Sequence, residues 1–492
     1  MNKRMPIAIL HIRGYLLTAL AFSFSLASAQ NITRLQDELK KISTDSSLAH
    51  ALVGFSLRSS DGKTLLQQNA EKSLPPASNL KVVTTATALQ VLGEDFRFKT
   101  TLEYDGTIDK TGVMDGNIII RGGGDPTLGV GRAEGTQTLN ELMALWSTKI
   151  KEAGIRKING SVIAVTGIFE QNPIPDYWVW TDIGNYYGAG VFGLNINENI
   201  YKLVFKPGLK IGDSAVILRT EPAIPNLQFI NEVTTAAKGT GDNSYIYGVP
   251  YSYSRYVSGT IPAGSDEFVV KGSMPDPAFF SAYALTQKLT QDGVEISKAA
   301  GAVTGNYKNN LKVIYELTSP TLKEVAVHTN QSSINLYAEC QLKMLGYQVK
   351  GEGSTKAGID VVKEYWKAKG MDLSGFFIYD GSGLSDANAV TPNQFTHLLS
   401  LMTKEKPFKA FYNSFPVAGV NGTVARLCKG SKAENNVRAK SGTINKVTCY
   451  CGYVTTSKGE LLCFSMMVNN YEGKAGQVTK KLERLMVLMA EL

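Results

Sequence analysis

The feature that most restricts the fold is a long central block of short alternating segments. From about residue 96 to residue 303, apolar and polar residues alternate in runs of a few residues, with Gly and Asn between the runs. Alternation with a period of two predicts strands, and Gly and Asn at the ends of the runs predict turns. We therefore expect a β-rich region in the middle of the chain.

The segments on both sides of this block mix helical and strand patterns. Before it, residues 51–67 alternate around a Ser-Asp-Gly turn, and residues 78–92 have helical spacing. After it come four segments with helical spacing, three strands and a last helix: 322–328, 335–345, 358–369, 391–402, 436–443, 446–455, 460–468 and 475–492. The pattern predicts an α/β protein in which one domain, residues 30–94 and 306–492, is interrupted by a β-rich insertion, residues 95–305, of two subdomains.

The first 29 residues have the three parts of a secretory signal peptide. Basic residues come first, an apolar run covers residues 15–26, and small residues end the segment at Ala29. We expect cleavage near Ala29 and a mature protein in the periplasm or outside the cell. No later run reaches the roughly 18 apolar residues of a bilayer span, so no transmembrane anchor is expected in the mature chain.

Charge and residue usage argue against several classes of site. The net charge of +8 over 492 residues is spread along the chain, which does not favour nucleic-acid binding. Residues 188–193 match the glycine pattern of dinucleotide-binding loops, but the following residues alternate like a strand instead of opening a helix. With four histidines and no paired metal ligands, the sequence predicts neither a cofactor nor a metal.

The cysteines are few and odd in number. Two of them stand two residues apart in one predicted strand, and a third lies on the next strand. We expect small buried residues under a sheet, with a disulfide or metal site as the alternative. The five residues are Cys340, Cys428, Cys449, Cys451 and Cys463.

A serine followed three residues later by a lysine occurs twice. Ser60 and Lys63 lie in the predicted hairpin turn, where Ser, Asp and Gly are ordinary turn residues. Ser78 and Lys81 open a predicted helix, where a spacing of three places the amine on the same face as the hydroxyl. An amine in that position acts as base toward a nucleophilic serine. A helix-capping role for Ser78 is the structural alternative.

Two further motifs favour the catalytic interpretation. Ser333-Ile334-Asn335 stands at the start of a predicted helix, and Lys440-Ser441-Gly442-Thr443 ends a predicted strand. Together with Ser78 and Lys81, these are, in order, the three elements of penicillin-recognising serine acyl enzymes.

The resemblance extends over nearly the whole mature chain. It includes residues 76–81, 122–128, 178–187, 380–385, 390–392 and 417–423. On these segments the chain resembles the D-alanyl-D-alanine carboxypeptidase/endopeptidase group of peptidase family S13, the penicillin-binding protein 4 or class C low-molecular-mass type. The long interval between Ser78 and Ser333 is itself typical of this group, which carries inserted domains there.

This resemblance implies a β-lactamase/transpeptidase-like fold, an antiparallel sheet covered by helices and interrupted by the insertion. It also predicts that the hairpin of residues 51–67 joins the sheet of the C-terminal strands. The sequence departs from the family at three positions: Ser441 replaces the commoner Thr, Ile334 the commoner Asp, and Asp386 the usual Arg. Only Asp386 leaves a local contact open, because Ser441 keeps a hydroxyl and Ile334 lies between functional positions.

The resemblance also implies catalytic roles. Ser78 would be the nucleophile and Lys81 its base. Ser333 would relay a proton to the leaving nitrogen, and Asn335 would hold Lys81 and the substrate amide. Lys440 would bind the terminal carboxylate of the peptide.

Five further residues are implied to bind substrate. The hydroxyls of Ser441 and Thr443 would help to bind the carboxylate, and the backbone N–H of Thr443 would form an oxyanion hole with that of the nucleophile. Gly442 leaves room for a peptide lying along the strand. Asp182 would contact the free amine of the peptide's diamino acid, with Tyr187 as a wall of that pocket. A solvated turn residue is the alternative for Asp182.

The resulting function is a serine DD-peptidase that acts on peptidoglycan stem peptides and is acylated by β-lactams. Whether it is a carboxypeptidase, an endopeptidase or both stays open. A β-lactamase is one alternative, although Ser333 instead of Tyr begins the second element and no Glu-x-x-Leu-Asn segment supplies a deacylation base. A noncatalytic cell-wall-binding protein is another, and the intact set of catalytic residues argues against it.

Overall fold

The computed structural model describes residues 31–133, 135–305, 307 and 310–492. The predicted signal peptide therefore lies outside the described residues. In chain order the strands are β1 Leu52–Ser59, β2 Thr64–Gln68, β3 Lys99–Tyr104, β4 Thr107–Ile108, β5 Val113–Asp115, β6 Ile118–Arg121, β7 Lys157–Ile158, β8 Val162–Val165, β9 Ile200–Lys206, β10 Val216–Glu221, β11 Gln228–Ala236, β12 Asn243–Tyr247, β13 Ser254–Pro262, β14 Phe268–Ser273, β15 Glu295–Ile296, β16 Gly301–Val303, β17 Lys312–Thr318, β18 Arg438–Ile444, β19 Val447–Thr455 and β20 Leu461–Asn469.

The helices begin with α1, residues 31–43. The others are α2 Leu80–Val91, α3 Leu139–Glu152, α4 Trp180–Ile183, α5 Pro277–Gln291, α6 Leu322–Gln331, α7 Asn335–Lys350, α8 Thr355–Ala368, α9 Pro392–Met402, α10 Phe408–Ser414 and α11 Ala475–Glu491.

The chain forms two compact units. One contains the described part of Met1–Leu74 together with Thr391–Lys404 and Pro416–Leu492, and the other contains Pro75–Val390 and Glu405–Phe415. These limits differ from those of the domains predicted from the sequence, and that division stays a prediction.

The first unit is built on a five-stranded antiparallel sheet in the order β18-β19-β20-β1-β2. The prediction that the N-terminal hairpin joins the C-terminal strands is confirmed, because Leu52 to Ser59 pair along their whole length with Asn469 to Leu462. Helices α1 and α11 pack on one face, where Phe55 and Phe464 are fully buried. Helix α9 lies on the other face, and its Thr396 hydroxyl is 2.8 Å from the hydroxyl of Ser56.

The cysteines of this sheet point to the α9 face. Side chains alternate along a strand, and Cys449 and Cys451 share their face with Tyr453, whose hydroxyl donates to the Leu399 carbonyl of α9 at 2.9 Å. Cys463 is the direct cross-strand partner of Tyr453. All five cysteines are buried, as expected for small buried residues.

The second unit contains four sheets, ordered β10-β9-β14, β11-β13-β12, β15-β7-β5-β4 and β16-β8-β6-β3-β17. All of these strands except β17 lie in the block predicted to be β-rich, and neither β17 nor the helices α3 and α5 were predicted. The topology explains why these two helices form. β6 and β16 both pair in parallel with β8, and parallel neighbouring strands need a crossover connection. Helix α3 lies in the connection from β6 to β8, and α5 lies in the connection from β8 to β16. Trp146 of α3 and Leu285 of α5 belong to the buried core of this region.

Helix α2 is the centre of the helical part of the second unit. Residues 80–89 are all buried, because α6, α7 and α8 pack around the helix. Its threonine hydroxyls are satisfied inside the unit: Thr85 donates to the Lys81 carbonyl at 2.7 Å, and Thr87 accepts from the Trp366 indole N–H at 2.8 Å. The position of α2, and so of Lys81, is fixed from several sides.

Among the helices of the described residues, none combines the length and hydrophobicity needed to span a bilayer.

Candidate active site

Ser78 lies in a short 3₁₀ turn, Ala77–Asn79, that leads into α2. Ala77 before it has a left-handed backbone with φ of 46°, a strained conformation for a residue with a side chain. The Ala77 carbonyl packs closely on Gly383, where an added Cβ would lie 1.9 Å from the carbonyl oxygen. The capping role considered for Ser78 is wrong, because Asn79 occupies the N-cap position and the Ser78 hydroxyl contacts Lys81 instead.

Lys81 is fully buried and has three hydrogen-bond partners. Its Nζ lies 2.9 Å from the Ser78 hydroxyl, 2.6 Å from Oδ1 of Asn335 and 2.7 Å from the carbonyl oxygen of Ser382. The sequence predicted the contacts with Ser78 and Asn335. It gave no indication of the contact with Ser382.

Burial changes the acidity of this amine. Removal from water lowers the pKa of Lys81 from 10.5 to about 7, and the carboxylates of Asp380 and Glu339 act in the opposite direction. A large fraction of Lys81 is therefore neutral near pH 7, which is the state that a base requires.

The orientation of Asn335 determines where the lone pair of neutral Lys81 points. The Asn335 Nδ2 donates to the Tyr187 carbonyl at 2.7 Å, so its Oδ1 must face Lys81. Oδ1 of Asn335 and the Ser382 carbonyl are both acceptors only, and they take the two N–H bonds that a neutral amine donates toward them. The remaining partner, Ser78, is a hydroxyl that can donate to the lone pair. The site is thus arranged for proton transfer from Ser78 to Lys81.

Ser333 lies in the turn between α6 and α7. It is half-buried, has a left-handed backbone with φ of 57°, and stands two residues before Asn335. Only Ile334 separates Ser333 from Asn335, whose Oδ1 contacts Lys81.

Tyr187 contacts both Asn335 and Asp182. The Tyr187 hydroxyl donates to Oδ1 of Asp182 at 3.3 Å, and the Tyr187 carbonyl holds Asn335. Burial raises the pKa of Asp182 to about 6, and the charge of Asp386 adds to this rise. Burial, with the nearby Asp182 charge, also raises the pKa of Tyr187 well above its usual value. The alternative of a solvated turn is wrong, because Asp182 is a half-buried residue of helix α4.

Two acidic residues of this unit were not predicted as site residues. Asp380 is buried and accepts hydrogen bonds from the Trp178 indole N–H at 2.9 Å and from the backbone N–H of Gly383 at 2.8 Å. Glu339 is buried on α7 and accepts backbone hydrogen bonds from the segment that contains Ser382. The Asp-Gly-Ser-Gly run of residues 380–383 was a signal for a tight turn, but it does not show which side chains the turn contacts.

The remaining predicted residues belong to the first unit. Strand β18 is the last strand at one end of its sheet. Lys440 on this strand is buried, and its Nζ lies 2.5 Å from the Ser441 carbonyl oxygen. The Ser441 hydroxyl donates to that of Thr423 at 2.7 Å. Gly442 is the cross-strand partner of Cys449, and Thr443 is exposed.

The second Ser-x-x-Lys occurrence has none of these features. Ser60 to Lys63 form the turn between β1 and β2, and Lys63 is exposed. Among the residues that the structure describes, no three His, Cys, Asp or Glu side chains are grouped to hold a metal ion.

Comparison with known proteins assigns the chain to a family. The family model described as the D-Ala-D-Ala carboxypeptidase 3 (S13) family matches residues 35–491. The chain belongs to this family. It is therefore a serine-type peptidase of the D-Ala-D-Ala carboxypeptidase class, as the resemblance implied.

Two curated relatives match this S13 peptidase over most of its length. The D-alanyl-D-alanine carboxypeptidase of Actinomadura sp. (strain R39) is 28% identical over 464 residues, which cover 91% of this chain and 83% of the relative. The D-alanyl-D-alanine carboxypeptidase DacB of Haemophilus influenzae is 26% identical over 480 residues, covering 96% and 95%.

Solved structures confirm the predicted fold class. The crystal structure of penicillin-binding protein 4 from Haemophilus influenzae matches with a TM-score of 0.78 at 22% identity, covering 94% of this chain and 100% of that one. The same protein in complex with a β-lactam matches with a TM-score of 0.73 at 22% identity, covering 93% and 97%.

Proposed function

We propose that this S13 peptidase cleaves D-alanyl bonds of peptidoglycan stem peptides through an acyl-enzyme on Ser78. The observation that carries the proposal is the contact between the Ser78 hydroxyl and a fully buried Lys81 whose pKa lies at about 7. A nucleophile and a base in hydrogen-bond reach, with the base oriented by a third group, are what acyl transfer to serine requires.

Acylation begins with transfer of the Ser78 proton to the neutral Lys81 amine while Oγ bonds to the D-alanyl carbonyl carbon. The negative charge on the carbonyl oxygen is taken by backbone N–H groups of Ser78 and Thr443. The C–N bond then breaks, and the leaving nitrogen receives a proton through Ser333. In the second half, water attacks the Ser78 ester, and Lys81 and Ser333 carry the protons in the reverse direction.

Substrate recognition uses both ends of the peptide. Lys440, with the hydroxyls of Ser441 and Thr443, binds the terminal carboxylate, and Gly442 allows the peptide to lie along β18, the last strand in its sheet. Asp182 binds a free amine of the stem peptide. An amine there favours the ionised carboxylate, since the two opposite charges stabilise each other.

We also propose where the enzyme acts and which compounds inhibit it. The sequence pattern before Ala29 directs export to the periplasm or the outside of the cell, where peptidoglycan is found. β-Lactams acylate Ser78 by the same chemistry as the substrate. The domain division of the sequence, residues 30–94 and 306–492 around an inserted 95–305, is part of the proposal.

Labelling with a fluorescent penicillin tests the nucleophile. Ser78→Ala should abolish the label, because no other group takes the acyl chain, while Ser60→Ala should label like the parent. A labelled Ser78→Ala protein would contradict the assignment. Rapid release of the label from the parent would favour the β-lactamase alternative, and absence of any label would favour the noncatalytic one.

Digestion of purified muropeptides tests the substrate. Mass analysis of the products separates loss of a terminal D-alanine from cleavage of cross-links, and it decides between carboxypeptidase and endopeptidase action.

A further inference from the structure

Glu339 holds the backbone that contacts the catalytic lysine. It lies on α7 four residues after Asn335, and therefore on the same face of the helix. Its side chain is fully buried. Oε1 accepts from the N–H of Gly381 at 3.0 Å and of Ser382 at 2.8 Å, and Oε2 accepts from the N–H of Gly381 at 2.9 Å.

These bonds hold the backbone of Gly381 and Ser382, and the Ser382 carbonyl accepts a hydrogen bond from Lys81. The Ser382 carbonyl belongs to the residue that Glu339 holds by its N–H, and it accepts from Lys81 Nζ at 2.7 Å. On the α2 side, the Thr84 hydroxyl donates to the Gly381 carbonyl at 2.6 Å. The segment is thus anchored to α7 through Glu339 and to α2 through Thr84.

The direction of the Ser382 carbonyl matters for the chemistry. A neutral amine has two N–H bonds and one lone pair, so its lone pair faces Ser78 only when both N–H bonds have acceptors elsewhere. Asn335 provides one acceptor and Ser382 the other. Without the second acceptor the amine can rotate an N–H toward the Ser78 oxygen, and the lone pair is then lost for proton transfer.

We propose that Glu339 is a positioning residue for acylation: it holds Gly381 and Ser382 so that the Ser382 carbonyl takes an N–H of Lys81 and the Lys81 lone pair faces Ser78. This inference rests on the proposed function of the Ser78 and Lys81 pair and adds to it a residue that does not touch the substrate.

The charge of Glu339 has a second effect that can be measured separately. The charged groups facing Lys81 are Asp380 and Glu339, and both raise the pKa of the amine against the lowering by burial. The groups that face Glu339 are Asp380 and Lys81, and burial followed by the Asp380 charge raises the pKa of Glu339. Replacing Glu339 by a neutral residue should therefore lower the pKa of Lys81.

The test is the pH dependence of the acylation rate with a β-lactam in the parent, Glu339→Gln and Glu339→Asp. Glu339→Gln keeps the shape and one acceptor oxygen but loses the charge, so the acidic limb of the rate profile should move to lower pH. Its plateau should fall about tenfold, since a donor now faces Gly381. Glu339→Asp keeps the charge but moves the carboxylate away from the N–H groups of Gly381 and Ser382. The acidic limb of its rate profile should therefore stay at the parental pH, while its plateau rate should fall.

A buried acid elsewhere in the same unit provides the control. Asp125 is buried and accepts the backbone N–H of Thr127 at 2.8 Å, but it is not among the charges that act on Lys81. Asp125→Asn should keep the parental limb and plateau.

The outcomes separate the two proposals. The limb position does not depend on how much of the sample is folded, so partial misfolding of Glu339→Gln does not imitate the shift. If Glu339→Gln yields no folded protein, a parental plateau in Glu339→Asp overturns the inference. A parental limb in Glu339→Gln, or an equal shift in Asp125→Asn, also overturns it while the proposed function stands. A parent that is not acylated at all overturns both.

Discussion

Lys81→Arg is the substitution that tests the base most directly. Arginine preserves the positive charge and the donors toward Asn335 and Ser382, but it does not lose its proton at any working pH. If Lys81 acts as a base, Lys81→Arg should stop acylation as completely as Lys81→Ala does. If Lys81 served only as a cation, Lys81→Arg would retain activity.

The size of the effect follows from the pKa of Lys81. With a pKa of about 7, half of the amine is neutral at pH 7, whereas an ordinary lysine with a pKa of 10.5 would be neutral in about one molecule in 3,000. Arginine, with a pKa above ~12, is neutral in fewer than about one molecule in 10⁵. We therefore expect an acylation rate at least about 10⁴-fold lower than that of the parent.

The assay is the second-order rate of acylation by a chromogenic or fluorescent β-lactam between pH 5 and about 9, the range in which general bases of this kind titrate. The parental rate should be half-maximal near the pKa of Lys81, about 7, and should fall about tenfold per pH unit below it. Lys63→Arg is the matched control, since Lys63 follows the other Ser-x-x-Lys serine and is exposed. A Lys81→Arg protein that is acylated within tenfold of the parental rate, or a flat parental pH profile, would refute the base assignment.

Substitutions at two further positions, one in each compact unit, test other parts of the proposal. Lys440→Arg should retain part of the hydrolysis of a D-alanyl-D-alanine peptide, because it keeps the charge for the terminal carboxylate, whereas Lys440→Ala should lose it; equal peptide hydrolysis by Lys440→Ala and the parent would contradict that role. Gly383→Ala should lower both the melting temperature and penicillin labelling, since its Cβ would lie 1.9 Å from the carbonyl oxygen of Ala77, the residue before the proposed nucleophile Ser78. Gly93→Ala, where φ is also positive but no atom lies within 4 Å, should cost only about 1–2 kcal/mol of backbone strain and keep the label.

The parts of the fold with strong local patterns were predictable from the sequence. The hairpin of β1 and β2, the strands β18 to β20 and the helix after Ser78 all lie close to their predicted limits, because each has a regular period and a clear turn or helix end. The pairing of β1 with β20 required the family resemblance, since more than four hundred residues separate Leu52 from its partner Asn469.

Helices α3 and α5 have clear helix-start signals in the sequence, although the block around them was interpreted as strands. Thr138 and Glu141 form a capping box at the start of α3, and Asp276 caps α5 with Pro277 at its first position. Both signals were present in the sequence. They were missed because the surrounding strands dominated the interpretation of the whole block.

For the proposed catalytic pair, Ser78 and Lys81, the sequence predicted the contact between the two side chains but not the lowered pKa of the amine. Ser60 with Lys63 and Ser78 with Lys81 have the same spacing, and spacing alone does not tell them apart. What distinguishes Lys81 is its burial and its acceptors, Asn335 at a distance of 254 residues along the chain and Ser382 at 301. These acceptors make burial of the amine tolerable without restoring its ordinary pKa, because they hydrogen-bond the neutral form as well as the charged one.

Glu339 and Asp380 could not be recognised as residues near Lys81 from the sequence. Acidic residues are mostly exposed, and nothing in the local pattern of α7 indicates that Glu339 points into the core. A buried carboxylate is tolerated there because Gly381 and Ser382 offer two backbone N–H groups to it. Those N–H groups belong to a turn that comes 42 residues later in the chain, and the same turn presents its carbonyl to Lys81. The turn therefore connects the buried acid to the base, so a change at Glu339 should reach Ser78 chemistry through the backbone of residues that no catalytic motif contains.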